Sequence, residues 1–334
     1  MKKQQQLVDN LLTGPIDTDQ GPGNVSGQIY AANDSRFAST HLSEALTAYS
    51  MGWKDPYGYE DLLEWIAPMV PVSRLFEFRK ALNSEAFAAE QEKDVVRSIG
   101  ASFKRVEYTG KKTQGKTLNK GLTIRVDHDD DPLMGEGRYE LYVAALRRRL
   151  LRTDLRAAIS ALNTAAGAAV PEVWGATDEP KADLRTQARA AQDASGLRPN
   201  KVLFGGAAYD LWQDSYEAKS TAGGFANANR TPDEIARALG MPGGGRVSEE
   251  VYQSSNTAKT SVVGSLVYLF YAESGIMRDD PSHVKRFTSN TQSNTPFAVY
   301  IDEHAKYTDI TVEHYNQIIA VDTIGAKRLS VSAI

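Results

Sequence analysis

The stretch from Gly135 to Gly167, GEGRYELYVAALRRRLLRTDLRAAISALNTAAG, carries one unbroken apolar stripe and no proline. Tyr139, Val143, Leu146, Leu150, Leu155, Ile159 and Leu162 recur at steps of three to five residues, the period of a single helix face. The alanines from Ala157 onward favour helix and let neighbouring backbone approach closely. The spacing predicts one helix over 136–166, on the order of 45 Å long at about 1.5 Å rise per residue. A helix of that length is a strut along which the other elements must be arranged.

The chain has 334 residues, 41% hydrophobic and 24% charged, enough to bury a sizeable core in one elaborate domain or two ordinary ones. Its formal net charge of -4 lacks the basic surplus of a nucleic-acid-binding domain, so any polyanion contact has to be local. The absence of cysteine removes disulfides, thiolate nucleophiles and cysteine-ligated metals. The start, MKKQQQLVDNLL, holds no apolar core of signal-peptide length, and no eighteen-residue apolar run occurs, so a cytosolic, unprocessed product is expected.

Residues 1–40 mix polar residues and glycine, including GPGNVSG, without periodicity, and read as an extended arm. Ser39 and Thr40 are placed to cap a helix from about His41 to Met51, and a second helix from Tyr59 to Ile66 ends before Pro68 and Pro71. From Val72 to Val126 the pattern turns strand-like, with Leu75, Phe76 and Phe78 at its start. Phe103, Arg105 and Glu107 alternate with Lys104, Val106 and Tyr108, and Leu122, Ile124 and Val126 alternate likewise. Strands of a hairpin are expected, with GKKTQGKTLNKG as a polar tip. A two-stranded hairpin is marginal alone, so it should lie against something else, such as another subunit.

Beyond the strut, PEVW leads to a helix from about Lys181 to Ser195, closed by Gly196. A buried strand at Val202–Phe204, a helix bearing Tyr209, Leu211, Trp212 and Tyr216, and a loop, STAGGFANAN, follow. TPDEIARALG has Thr231 as cap, Pro232 in the first turn, Glu234 completing a capping box and Gly240 as terminator. Strands are expected in RVSEEVYQ, in the apolar run SVVGSLVYLFYA, and in FAVYIDE, DITVEHYNQIIAVDTI and RLSVSAI. The class is α+β.

Several segments bear on chemistry. GKKTQGKT at Gly110–Thr117 satisfies the phosphate-loop pattern, and AVYIDE from Ala298 resembles its acidic companion strand, which together would mark a nucleotide hydrolase. That pattern needs a helix to lead out, so that helix amides and Lys116 cradle phosphate, whereas LNKGLTIRVD alternates like a strand. A lysine-rich hairpin tip is the better reading. The acids of DHDDD, Asp127 to Asp131, lack EF-hand spacing and read as a solvated turn ahead of the helix. His304 with Asp302, Glu303 or His314 lacks a plausible nucleophile. Gly243 to Gly245 follow a helix and precede a strand, the order of a turn. Arg148, Arg152 and Arg156 form a stripe that is either a local polyanion contact or a salt-bridged helix face.

The order and spacing of these parts resemble a tailed-phage major capsid protein of the Hong Kong 97 type, and more closely the major capsid protein E family of lambda-like phages. RPNKVLFGGAAYDLW, TPDEIARALGMP, VYLFYAESGIMRDDPS and AKRLSVSAI are similar to that family's axial and C-terminal segments. The resemblance implies an α+β, Hong Kong 97-type capsid fold. Its expected parts are an N-terminal arm (1–40), a first peripheral part (41–71), an extended two-stranded E-loop (72–126) and a peripheral domain (127–175) with the long spine helix at 136–166. An axial domain (176–294), peripheral strands (295–328) and a return to the axial domain (329–334) complete it.

The function so implied is structural, with no catalysis, cofactor or metal. The chain would assemble into hexamers and pentamers of an icosahedral head around double-stranded DNA, built in the host bacterial cytoplasm and ending in the virion. Implied partners are the chain itself, a separate scaffolding protein, a portal protein, a decoration protein and packaged DNA through non-specific contact, with no membrane. A separate scaffold is expected because no charged helical segment precedes the arm. Phe76, Phe78, Phe103, Arg105, Tyr108, Lys111, Lys112 and Lys116 become the intersubunit E-loop candidates, and Arg148, Arg152 and Arg156 the lumen or scaffold candidates. Some relatives cross-link through an E-loop lysine; Lys111, Lys112, Lys116 and Lys120 stand in that region, without an identifiable acidic catalyst. An encapsulin-like compartment is the alternative on the same fold, and the phosphate-loop hydrolase the alternative from another class.

Overall fold

The computed structural model describes residues 40–80, 97, 99–103, 111–129, 137–219, 221–273, 281–291 and 294–333. The described chain begins with β1 (Thr40–Leu42), α1 (Glu44–Gly52), α2 (Tyr59–Ile66), β2 (Met69–Pro71), β3 (Leu75–Lys80), β4 (Lys111–Lys116) and β5 (Leu118–Asp127). The strut follows as α3 (Gly137–Ala166), 30 residues long. After it come β6 (Val170–Val173), α4 (Pro180–Ser195), β7 (Lys201–Gly205), α5 (Gly206–Glu217), α6 (Ala222–Ala228) and α7 (Pro232–Ala238). The remaining elements are β8 (Gly245–Ser248), β9 (Val251–Gln253), β10 (Lys259–Ser261), β11 (Leu266–Phe270), β12 (Val284–Ser289), β13 (Phe297–Glu303), β14 (Tyr307–Ala320) and β15 (Lys327–Ser332).

Two sheets flank the strut. In the first, the order is β1-β13-β14-β12-β2, with β5 also on β14. β5 runs along one edge of β14 over Tyr307–Asn316, while β13 and then β12 occupy the other edge in succession. Alternation decides which face is dry: Thr308, Ile310 and Val312 of β14 are buried between half-buried neighbours. The second sheet is β6-β15-β11-β7-β8, with β7 buried along its whole length and β11 inside it.

The stripe of α3 serves both sheets. Val143, Leu146 and Leu150 pack with Val126, Val299, Ile310 and Val312 of the first. Leu151, Leu155, Ile159 and Leu162 join Leu63, Ile66, Leu203, Tyr268 and Phe270. A second core lies on the far side of the five-stranded sheet, where Trp174, Trp212, Phe204 and Tyr216 interlock, with Trp174 and Trp212 edge to face at 6.0 Å. Trp65 of α2 ties the two halves, its Nε1 donating to Gly243 O at 2.9 Å while its own carbonyl accepts from Lys201 Nζ at 2.7 Å. Burial pushes the Lys201 ammonium down to about 8.

Thr231 and Glu234 form the expected reciprocal box at the start of α7. Elsewhere the structure corrects the sequence reading. Residues 40–42 are a strand on the edge of β13, and the helix cap is Ser43, whose Oγ accepts from Leu46 N at 3.2 Å. STAGGFANAN is not all loop: Thr221 caps α6 by accepting from Gly224 N at 3.1 Å. Gly224 is needed there because a Cβ would come within 2.6 Å of Lys219 O. RVSEEVYQ breaks at Glu249–Glu250 into strands of two different sheets.

The largest correction concerns the hairpin. β3 pairs with β4, Leu75 opposite Lys116 and Lys80 opposite Lys111, so the lysine-rich segment is a strand rather than a tip. β5 leaves that pairing and joins β14. Leu122, Ile124 and Val126 alternate because they face the strut. The strand expected around Arg105 and Tyr108 lies outside the described residues, as do residues 1–39 of the arm, Asp130 and Asp131. Strand membership also crosses the expected segment limits, since 170–173 belong to the five-stranded sheet and 284–289 to the six-stranded one.

Candidate functional site

Three places gather the residues that carry chemistry: the β3–β4 hairpin, a polar cluster under α3, and an arginine-lined groove on its outer side. In the hairpin, Phe76 and Phe78 are buried, their ring centroids 4.4 and 5.4 Å from that of Phe287 on β12. Both rings are therefore taken up inside the subunit, while Leu75 beside them is 72% exposed and faces outward. Phe103 is exposed with the Arg97 guanidinium over its ring, Lys112 and Lys116 are exposed, and Lys111 belongs to β4.

The phosphate-loop pattern is used for packing instead. Lys116 is followed by β5, not by a helix, so no helix amides converge on it. Gly115 leaves room for the Phe76 ring, whose Cζ would lie 2.5 Å from any Cβ at that position. The Thr117 hydroxyl is buried against Ser289 Oγ at 2.8 Å, leaving it unavailable to a metal.

Asp154, on the buried face of α3, is the centre of the polar cluster. Its Oδ1 accepts from Lys120 Nζ at 2.7 Å, and its Oδ2 accepts from Asn316 Nδ2 at 2.6 Å with His314 Nε2 at 3.1 Å. Burial on its own raises the carboxyl pKa, but His314 and Lys120 outweigh it and bring Asp154 down to about 2. The carboxylate is charged and fully engaged, clamping α3 to β5 and β14. It is a structural bond, and sequence reasoning missed it. The available signal was an acid between Leu150 and Leu155 on an otherwise apolar face. Next to it, Arg147 gives Nη2 to both Glu60 oxygens at 3.0 Å and is covered by Phe297. His304 sits 3.2 Å from Asp302, both partly exposed. Asp129 N donates to Asp127 Oδ1 at 3.0 Å in the acidic turn. Among the described residues no group of acids and histidines could hold a metal, and no helix is long and apolar enough to cross a membrane.

The arginine stripe splits. Arg148 Nε lies 3.3 Å from Asp55, and Arg152 reaches Glu250 and the Val251 carbonyl, each at 2.7 Å. The Glu250 hydrogen bond drives the Arg152 pKa up. Arg156 extends over the Tyr252 ring at 5.5 Å. Arg149, outside the four-residue stripe, joins them along a groove of about 690 Å³ whose other wall is Tyr252 and Gln253 of β9 and the turn residues 254–256 that follow.

No protein-family model matches the chain, and no curated protein is similar to it in sequence. Similarity is found at the level of structure. A phage-related protein from Bordetella bronchiseptica superposes with a TM-score of 0.63 at 14% identity, over 87% of this chain and 97% of that one. The subunit in the asymmetric unit of the bacteriophage PhiM1 mature capsid gives 0.50 at 10% identity, over 81% and 86%. The fold is thus α+β of the Hong Kong 97 capsid type over most of the chain.

Proposed function

We propose that the chain is the major capsid subunit of a double-stranded DNA tailed phage, a structural protein that assembles as hexamers and pentamers into an icosahedral head. The observation that carries this reading is the fold shared with a mature phage capsid subunit. The closing phrase AKRLSVSAI and the order of parts favour the lambda-like major capsid protein E family within it.

The surface of the single chain supports the reading physically. Among the described residues the second edge of β5, ten residues long, has no strand partner, and the β3–β4 hairpin is a lone two-stranded ribbon. Open edges of that length are satisfied by neighbouring chains in an obligate assembly. Leu75, Leu118, Tyr57 and Leu141 are exposed apolar residues, and obligate interfaces commonly bury about 2,000 Å² or more. Further partners on this reading are a separate scaffolding protein, the portal and a decoration protein, with the product residing in the virion.

Sedimentation of the purified full chain, alone and with candidate scaffold from the same source, tests the proposal. Capsomer-sized or shell-sized species are expected in at least one condition. A monomer in both overturns it, and shells that enclose only protein favour the encapsulin-like alternative.

A further inference from the structure

We propose that the groove between α3 and the β9–β10 turn cradles the phosphate backbone of duplex DNA. The inference rests on the capsid reading for its biological setting, but its argument is local. The four guanidiniums of the groove are not equivalent. Arg148 and Arg152 are oriented and neutralised by Asp55 and Glu250. Arg149 and Arg156 meet no carboxylate among the described residues, and both are exposed. Arginine keeps its charge at any physiological pH, so two uncompensated cations stand on a protein whose net charge is -4.

The facing wall supplies hydrogen-bond donors. Ser255 Oγ accepts from Ala258 N at 3.1 Å and Thr257 N at 3.4 Å, which leaves its own proton for an outside acceptor. Gln253 and Asn256 add side-chain amides, and no acid is among the described residues that line the groove. Arginine, serine, asparagine, glutamine and tyrosine are the side chains that contact phosphate oxygens. From Arg149 to Arg156 the helix rises about 10 Å, so the two uncompensated cations can meet separate phosphates. An acidic polypeptide is the poorer fit, because a stable peptide site buries apolar anchors in a desolvated pocket, and this groove is open and polar. The contact is independent of base sequence, since phosphates carry no sequence information.

The double variant Arg149→Ala/Arg156→Ala leaves the Asp55 and Glu250 pairs intact and tests the assignment. Binding of a labelled short DNA duplex to the unassembled full chain is followed by anisotropy across a salt series, with polyglutamate as competitor. The slope of log affinity against log salt should become shallower by about 1.8, from about 0.9 per lost phosphate contact. The thermal midpoint and shell formation should not change. An unchanged slope overturns the proposal, and so does polyglutamate binding that the same variant abolishes while duplex binding persists. The capsid reading fails separately, if the wild-type chain forms no shells while the slope still changes.

Discussion

Replacing Asp154 by alanine lowers the stability of the unassembled chain by about 3–5 kcal/mol, the range for breaking a buried charge pair from one side. The substitution strands Lys120, Asn316 and His314, three partners from two strands, in the seam between α3 and the six-stranded sheet. The acid profile follows from the same cluster. The carboxyl lies at about 2 in the folded chain against 3.8 for a free aspartate, so the unfolded chain binds the proton more tightly. Its stabilisation is complete above pH 4 and is lost as the pH falls through 2, an effect of about 2 kcal/mol. Urea unfolding of wild type and Asp154→Asn between pH 5 and 2 should show the gap between them narrowing by that amount. A gap that stays constant would mean that Asp154 contributes through packing rather than through its charge.

Phe287→Ala is the second large effect. Phe287 is fully buried among Val70, Val321, Phe76 and Phe78, and both hairpin rings pack against it. Truncating a buried phenylalanine costs about 3–5 kcal/mol. Here the cost falls on one joint, so amides of β3 and β4 should exchange hydrogen much faster while those of α3 keep their protection. Leu75→Ser is the companion variant: exposed in the single chain, it should leave stability within about 0.5 kcal/mol yet weaken assembly. Uniform loss of protection across the chain would contradict this account of the hairpin as a separately anchored arm.

What could be read from the sequence was local. The spacing predicts the strut at 136–166 and the structure has it at Gly137–Ala166, because seven apolar residues on one face overdetermine a helix. The helix at Tyr59–Ile66 and the box at Thr231 and Glu234 are legible because their signals also lie within a few residues of each other. Partners distant in sequence were not. Alternation at Leu122, Ile124 and Val126 reveals a strand with one dry face, but whether β4 or β14 pairs with it is decided some 190 residues away. The sequence points to Ser39 and Thr40 as caps, whereas the edge of β13, by taking 40–42 as a strand, moves the cap to Ser43. The groove shows the same limit. Three arginines at equal spacing are equivalent in the sequence, and only the folded chain brings Asp55 and Glu250 to two of them and Tyr252 with the turn 254–256 to face the third.

The most direct test of the central claim is an electron cryomicroscopy reconstruction of particles formed by this chain with its scaffold. The account predicts closed icosahedral shells of hexamers and pentamers in which the β3–β4 hairpin and the open edge of β5 contact neighbouring copies, with the arginine groove of α3 turned to the lumen. Open or amorphous aggregates, or closed shells in which both edges remain bare, would contradict it.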